Sequence, residues 1–436
     1  MISSRIWAFA LILIGSGIGA GGAAALDAPH TLHRANPAES RLAEPHRAGH
    51  RAASRAARPS TAHAGAPQAA LKAAPAGQQA RLTARGSSRA AAHRAARAGR
   101  HHRFNERFTA SSFASGDIFA GDVTGGEDPV VRQAAIDALG GMNGTAVVID
   151  PSNGRILAMV NQKLALSPGA EPCSTIKITV AMAALSEGLV TRDTPVKLAG
   201  FRMNMTQALA KSNNLYFEEL GRQLGFERVR HYANQFGLGE LAGYNIEGEQ
   251  LGVYPDTELP ASEGGVARMC SFGQGVSLTP LQLGAYVAAL ANGGTLYYLQ
   301  HPTTPEEAAK LEPKVKRTLD IAKYVPDIED GMAGAVEYGT ARRLRANFHE
   351  LPVFGKTGTC SDKGTRFGWF AAYSDSPKGS LVTVFFLEGG RPTFGPRAAE
   401  LTGEFYKDLW DRNWFASKGQ QDAAALPAAS LQQAQP

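Results

Sequence analysis

The chain has 436 residues, 44% of them hydrophobic and 19% charged, which gives room for a sizeable core in one large domain plus extras, or in two domains. Three cysteines are too few for a disulfide framework. The net charge of +6 is unevenly spread, so it does not class the whole chain as a nucleic-acid binder.

Ile6 to Leu26 holds no charged residue over 21 positions and is greasiest from Ile6 to Ile14. A stretch of roughly 20 such residues can span a bilayer. The basic Arg5 before it and Ala23-Ala24-Ala25 after it fit a cleavable export signal as well. Residues 1–26 are therefore read as a signal peptide or membrane anchor. The remainder of the chain is expected outside the cytoplasm, exported and either anchored to the cell membrane or periplasmic.

Residues 27–107 read as a disordered basic linker. Between 28 and 105 there are 14 Lys or Arg against two Glu, a local +12, which leaves the remainder at −6. So few large apolar residues cannot offset the entropy of ordering. Such a basic run could pair with a polyanion, but export argues against nucleic acid. The expectation is a solvated tether with weak attraction to anionic envelope surfaces.

Ordered sequence resumes at Phe108, opening an expected domain over 108–416. Asp128-Pro129 and Gly140 bracket a helix over 129–139. Thr145 to Asp150 and Arg155 to Asn161 are β-rich runs around Pro151-Ser152-Asn153-Gly154, a hairpin. A helix starts close to Ser174 and ends near Gly188. Another is expected from Met205 to Leu224, interrupted by Lys211-Ser212-Asn213-Asn214, whose short polar side chains compete with helical backbone. Phe226 to Phe236 reads as a helix stopped by Gly237. Ser271-Phe272-Gly273-Gln274-Gly275 reads as a Gly-rich turn. Thr279-Pro280 opens a helix to Asn292-Gly293-Gly294, and Asp327 to Glu337 is a further one. The pattern turns β-like at Val353 to Thr359, Gly368 to Tyr373 and Leu381 to Leu387, with connections that suit antiparallel neighbours. A last helix is expected over 398–414, and the Ala- and Gln-rich residues 417–436 read as a disordered tail.

The chemistry centres on Glu171-Pro172-Cys173-Ser174-Thr175-Ile176-Lys177. Ser174 and Lys177 are three apart, so on a helix they share a face. A serine hydroxyl needs a base, and a lysine held in a poorly solvated, positively charged pocket can become one. One Ser-x-x-Lys is expected about once by chance in a chain of this size. Here it is followed in order by Ser212-x-Asn214 and Lys356-Thr357-Gly358.

Those three motifs in that order resemble the penicillin-binding protein and serine β-lactamase superfamily. Ala146-Val147-Val148-Ile149-Asp150-Pro151, Gly273-Gln274-Gly275 with Thr279-Pro280-Leu281-Gln282, and Ala291-Asn292-Gly293-Gly294 are similar to its transpeptidase signatures. The resemblance covers about residues 125 to 415. It implies an α+β fold: an antiparallel sheet flanked by helices, beside an all-helical subdomain.

The resemblance also implies roles. Ser174 attacks a D-alanyl-D-alanine carbonyl of a peptidoglycan stem peptide and is acylated. Lys177 takes its proton. Ser212 relays a proton to the leaving amine, and Asn214 holds Lys177 and the substrate amide. Lys356 supplies positive field, and the hydroxyls of Thr357 and Thr359, flanking Gly358, grip the terminal carboxylate. The backbone N–H groups of Ser174 and Thr359 form an oxyanion hole. β-Lactams are implied as inhibitors, and no metal or cofactor is implied; His101-His102 lies in the basic arm.

Three activities fit these motifs. The first is a serine D,D-transpeptidase that crosslinks peptidoglycan. The second is a hydrolase, a DD-carboxypeptidase or a β-lactamase. No Glu-x-x-Leu-Asn segment is present to place a deacylating Glu, and Ser212-Asn213-Asn214 is more polar than the Ser-x-Val of class D enzymes, which disfavours the lactamase. The third is a β-lactam sensor, which needs further membrane segments or a fused effector. The step of 38 positions from Ser174 to Ser212 is short for a large transpeptidase, and neither a folded module nor a glycosyltransferase domain fits in 28–105.

If the Ser174 and Thr359 N–H groups bind one oxyanion, their nitrogens lie about 5 Å apart. Cys173 and Cys360, the next residues along the chain, then come near the spacing of a disulfide, which export permits. Two packed thiols, or a bridge involving Cys270, remain the alternatives.

Overall fold

Two sets of β-branched and aromatic runs, far apart in the chain, meet in one sheet. The computed structural model describes residues 109–416. The expected leading segment 1–26, the linker 27–107 and the tail 417–436 lie outside the described residues. Among the described residues no helix is long and apolar enough to cross a membrane.

The sheet has five strands: β1 Gly144–Asp150, β2 Arg155–Val160, β3 Val353–Asp362, β4 Thr365–Ser376 and β5 Gly379–Gly389. Their spatial order is β2-β1-β5-β4-β3, and every pairing is antiparallel. The main helices are α1 Pro129–Leu139, α2 Lys177–Ser186, α3 Met205–Ala210, α4 Asn214–Leu224, α5 Phe226–Gln235, α6 Gly265–Phe272, α7 Pro280–Ala291, α8 Val325–Glu337 and α9 Gly395–Asp411.

Strand alternation sends side chains to two cores. Val147 and Ile149 of β1, with Val382, Val384 and Phe386 of β5, join the apolar cluster that includes α2 and α7. Ala146 and Val148, with Leu381, Phe385 and Leu387, join α1 and α9 on the other face. Because both faces are covered, the strands read as nearly continuous apolar runs.

Helix ends follow their capping chemistry. The Asp128 carboxylate accepts from the N–H groups of Val130 and Val131 at 2.9 and 3.1 Å, with Pro129 at the first helical position. Thr279 and Gln282 form a reciprocal capping box at the start of α7. Both are as the sequence leads one to expect.

Two expectations need correction and a third, the helix start close to Ser174, is refined. Ser271 and Phe272 are the last residues of α6, and the turn begins only at Gly273. Gly264 and Gly265 at its head, both at positive φ, read as loop and hide the helix. The last helix is Gly395–Asp411, shifted from 398–414, because Pro396 sits in the first turn where its missing N–H does no harm. Ser174 lies in a 3₁₀ turn, Cys173–Ile176, and the α-helix proper starts at Lys177.

Candidate active site

The nucleophile turn is built by Pro172 and Cys173. Thr175 donates its hydroxyl to the Pro172 carbonyl at 2.7 Å and its N–H to the same oxygen at 3.1 Å, closing the turn. Cys173 has φ +52°, a left-handed conformation that L side chains adopt with strain. The turn leaves Ser174 half-buried at the head of α2.

The second motif sits where α3 stops and α4 starts. Asn213 N–H donates to the Ala208 carbonyl at 2.9 Å and Ser212 N–H to the Leu209 carbonyl at 3.1 Å. This is a Schellman cap, and Ser212 takes the left-handed position at φ +53° where glycine is usual. Asn213 then caps α4, its Oδ1 accepting from Tyr216 N–H at 3.0 Å. The expected interruption of one long helix is thus two consecutive caps. They turn the Ser212 carbonyl and hydroxyl and the Asn214 amide toward Lys177.

Lys177 Nζ lies 3.0 Å from Ser174 Oγ, 2.8 Å from the Ser212 carbonyl oxygen, 3.2 Å from Ser212 Oγ and 2.6 Å from Asn214 Oδ1. Its side chain is 0% exposed. The Phe217 ring stands 5.6 Å from Nζ. Burial pulls the ammonium down to about 7, against the Glu218 carboxylate, which favours the charge. Two of the four contacts, the Ser212 carbonyl and Asn214 Oδ1, only accept. A neutral amine gives its two hydrogens to those and turns its lone pair to Ser174. That is the geometry of a general base for this hydroxyl.

The third motif lies on β3, at the edge of the sheet. Lys356 Nζ donates to Ser212 Oγ at 2.8 Å and to the Thr357 carbonyl at 3.0 Å. It too is 0% exposed, and burial first, then the nearby Lys177 charge, push it well below the ordinary lysine range. Thr357 Oγ1 donates to Thr340 Oγ1 at 2.7 Å, and Thr359 Oγ1 accepts from Gly395 N–H at 2.8 Å. A Cβ on Gly358 would sit 2.8 Å from the Pro172 carbonyl oxygen and 3.1 Å from Thr175 Cγ2 and Trp369 Cβ. Only glycine lets the strand come this close to the nucleophile turn.

All three motifs therefore converge. Ser174, Lys177, Ser212, Asn214 and Lys356 form one continuous hydrogen-bonded group, with Thr357, Gly358 and Thr359 along the strand beside it. Cys173 and Cys360 are bridged, with Cα atoms 5.5 Å apart, and Cys270 is a buried free thiol. Sequence reading missed Phe217 and Thr340. Phe217 stands three residues after Asn214 on the same helix face, a spacing that points to it. Thr340 lies after the end of α8 with no motif around it, and only the fold brings it to Thr357.

Comparison with known proteins bears on the domain as a whole. The family model described as the penicillin binding protein transpeptidase domain matches residues 144–407. Stage V sporulation protein D of Bacillus subtilis is 28% identical over 317 residues, covering 60% of this chain and 48% of that protein. Peptidoglycan D,D-transpeptidase MrdA of Acinetobacter baumannii is 26% identical over 358 residues, 64% of this chain and 52% of that one. The chain thus spans about half the length of these two relatives. The crystal structure of Pseudomonas aeruginosa PBP2 in complex with WCK 5153 superposes with a TM-score of 0.58 at 22% identity, over 67% of this chain and 78% of that one.

Proposed function

The chain belongs to the penicillin-binding protein transpeptidase domain family, and from that membership we propose that it is a serine D,D-transpeptidase acting on peptidoglycan stem peptides. The observation that carries this reading is the buried Lys177 amine, 3.0 Å from the Ser174 hydroxyl and bound on its other sides by Ser212 and Asn214.

Ser174 Oγ attacks the carbonyl of the penultimate D-alanine as its proton passes to Lys177 Nζ. The tetrahedral oxyanion is held by the backbone N–H groups of Ser174 and Thr359; losing one such donor typically costs about 10²–10³ in rate. Collapse breaks the C–N bond, and the departing D-alanine amine takes a proton through the Ser212 hydroxyl, which lies between Lys177 and Lys356. The amine of a second stem peptide then attacks the ester, and the proton path runs in reverse. Lys356, Thr357 and Thr359 hold the terminal carboxylate of the donor, and the outer edge of β3, which pairs with no strand there among the described residues, takes its backbone as an added strand. β-Lactams acylate the same serine.

The proposed catalytic domain is 108–416. Residues 1–26 carry it out of the cytoplasm, as a cleaved signal or as an anchor, and 27–107 serve as the tether.

The test is mass spectrometry of products from pentapeptide-bearing wall fragments. Crosslinked dimers with release of one D-alanine per bond support the proposal. Tetrapeptide monomers alone assign a carboxypeptidase, and unchanged substrate contradicts both.

A further inference from the structure

The edge strand packs directly against the nucleophile turn. Trp369 of the neighbouring β4 donates from Nε1 to the Glu171 carbonyl at 3.0 Å, and between β3 and the turn themselves Gly358 packs against Pro172 and the Cys173–Cys360 bridge crosses. The bridge is covalent, and it joins the residue before Ser174 to the residue after Thr359. These are the two residues whose N–H groups must face one oxyanion.

We propose that the Cys173–Cys360 disulfide is a positioning element of the reaction: it fixes the separation between the Ser174 and Thr359 amides, so that acylation is fast only in the oxidised protein. This rests on the transpeptidase reading above. Three features of the fold support it. β3 is the outermost strand, paired on one side only among the described residues, so β4 holds it from that side and its seat against the turn rests on the contact at Gly358 and on the bridge. Cys173 holds a left-handed conformation that a side chain tolerates only where its surroundings hold it; the bridge supplies that hold. Oxyanion donors act through preorganisation, so a small drift in either amide weakens both bonds to the developing charge.

The bridge is also reachable. Cys173 is buried, but Cys360 is partly exposed on the strand. A dithiol's thiolate can attack Cys360 Sγ, and Cys173 leaves as a thiolate that takes a proton. The second thiol of the reagent then displaces the mixed disulfide, closes its own ring and frees Cys360. Two electrons pass from the dithiol to the bridge. Cys270, wholly buried and pushed up by burial beyond the ordinary thiol range, stays outside this exchange.

The experiment measures acylation by a fluorescent penicillin in the full chain, before and after dithiothreitol and after reoxidation, with folding followed by near-ultraviolet circular dichroism. Non-reducing peptide mapping should recover Cys173 joined to Cys360. Reduction should slow the acylation rate constant by about 5- to 50-fold, less than the loss of a hole donor, with a change of less than about twofold in the affinity that precedes acylation. Reoxidation should restore it. Cys360→Ser should be slow from the start and indifferent to dithiothreitol. Equal rates in the oxidised and reduced protein, or three alkylatable cysteines in the denatured unreduced protein, would overturn the proposal. So would a loss of rate that merely follows loss of the circular dichroism signal, because the bridge would then hold the fold and not the hole. Absence of acylation in the oxidised wild type would instead count against the transpeptidase reading itself.

Discussion

Lys356 donates to the Ser212 hydroxyl at 2.8 Å while Lys177 stands 3.2 Å from the same oxygen. Two buried amines thus share one serine. They cannot both carry a proton cheaply in so little water, and they titrate as a coupled pair. Burial lowers both, and the field of Lys177 lowers Lys356 further.

The first prediction is the pH profile. With Lys177 brought down to about 7, its free amine is the minor form below that pH and the major form above it. The acylation rate constant for a β-lactam should rise as pH goes up through about 7 and then level off. Stopped-flow or quenched labelling between pH 5 and 9 checks this. A flat profile would mean that no group of this pKa takes the proton.

The second concerns stability. A lysine with a lowered folded pKa holds a proton in the unfolded chain that the folded one has lost. Stability therefore rises with pH between about 7 and the ordinary value of 10.5. Below about 7 the full penalty of burying the charge applies. Lys177→Met should be more stable than wild type by a few kcal/mol at pH 6, on the order of 1.4 kcal/mol for each tenfold change in the acid constant, with the gap closing towards pH 10. Denaturant melts at the two pH values measure it. The same variant should lose acylation.

Ser212→Gly separates conformation from chemistry. Glycine relieves the left-handed backbone at φ +53° but removes the hydroxyl between the two amines. Stability should rise by up to about 1 kcal/mol, while acylation falls by about 10²-fold or more. A variant that is less stable yet fully active would contradict the roles given to this residue.

Much of this was legible in the sequence. Asp128-Pro129, Thr279-Pro280 and the Ser-Asn-Asn interruption are local chemistry, and local chemistry sets caps and breaks. Continuous apolar strands and the three motifs in order pointed to the sheet and the site. What stayed hidden depends on distance in the chain. The α6 helix begins at two glycines that read as loop but sit where a left-handed turn feeds a helix. Thr340 meets Thr357 only because α8 packs beside β3. The nearness of Cys173 and Cys360 was legible from the two amides that share an oxyanion, while the exclusion of Cys270, buried on α6, comes from the fold.

Gly358→Ala tests that close approach. The added methyl meets backbone at Pro172 and packed atoms at Thr175 and Trp369, none a flexible chain end. Stability should fall by about 1–3 kcal/mol, and acylation should slow by at least about 10-fold as the strand moves off the turn. Thermal melts and labelling kinetics on one preparation give both numbers.

The central claim is that Ser174 is the nucleophile and is acylated. Intact-protein mass spectrometry after incubation with a penicillin, followed by peptide mapping, tests it most directly. The wild type should gain one penicilloyl mass on the peptide containing Ser174, and Ser174→Ala should gain none. An adduct that survives the substitution, or one that maps to another residue, would contradict the account.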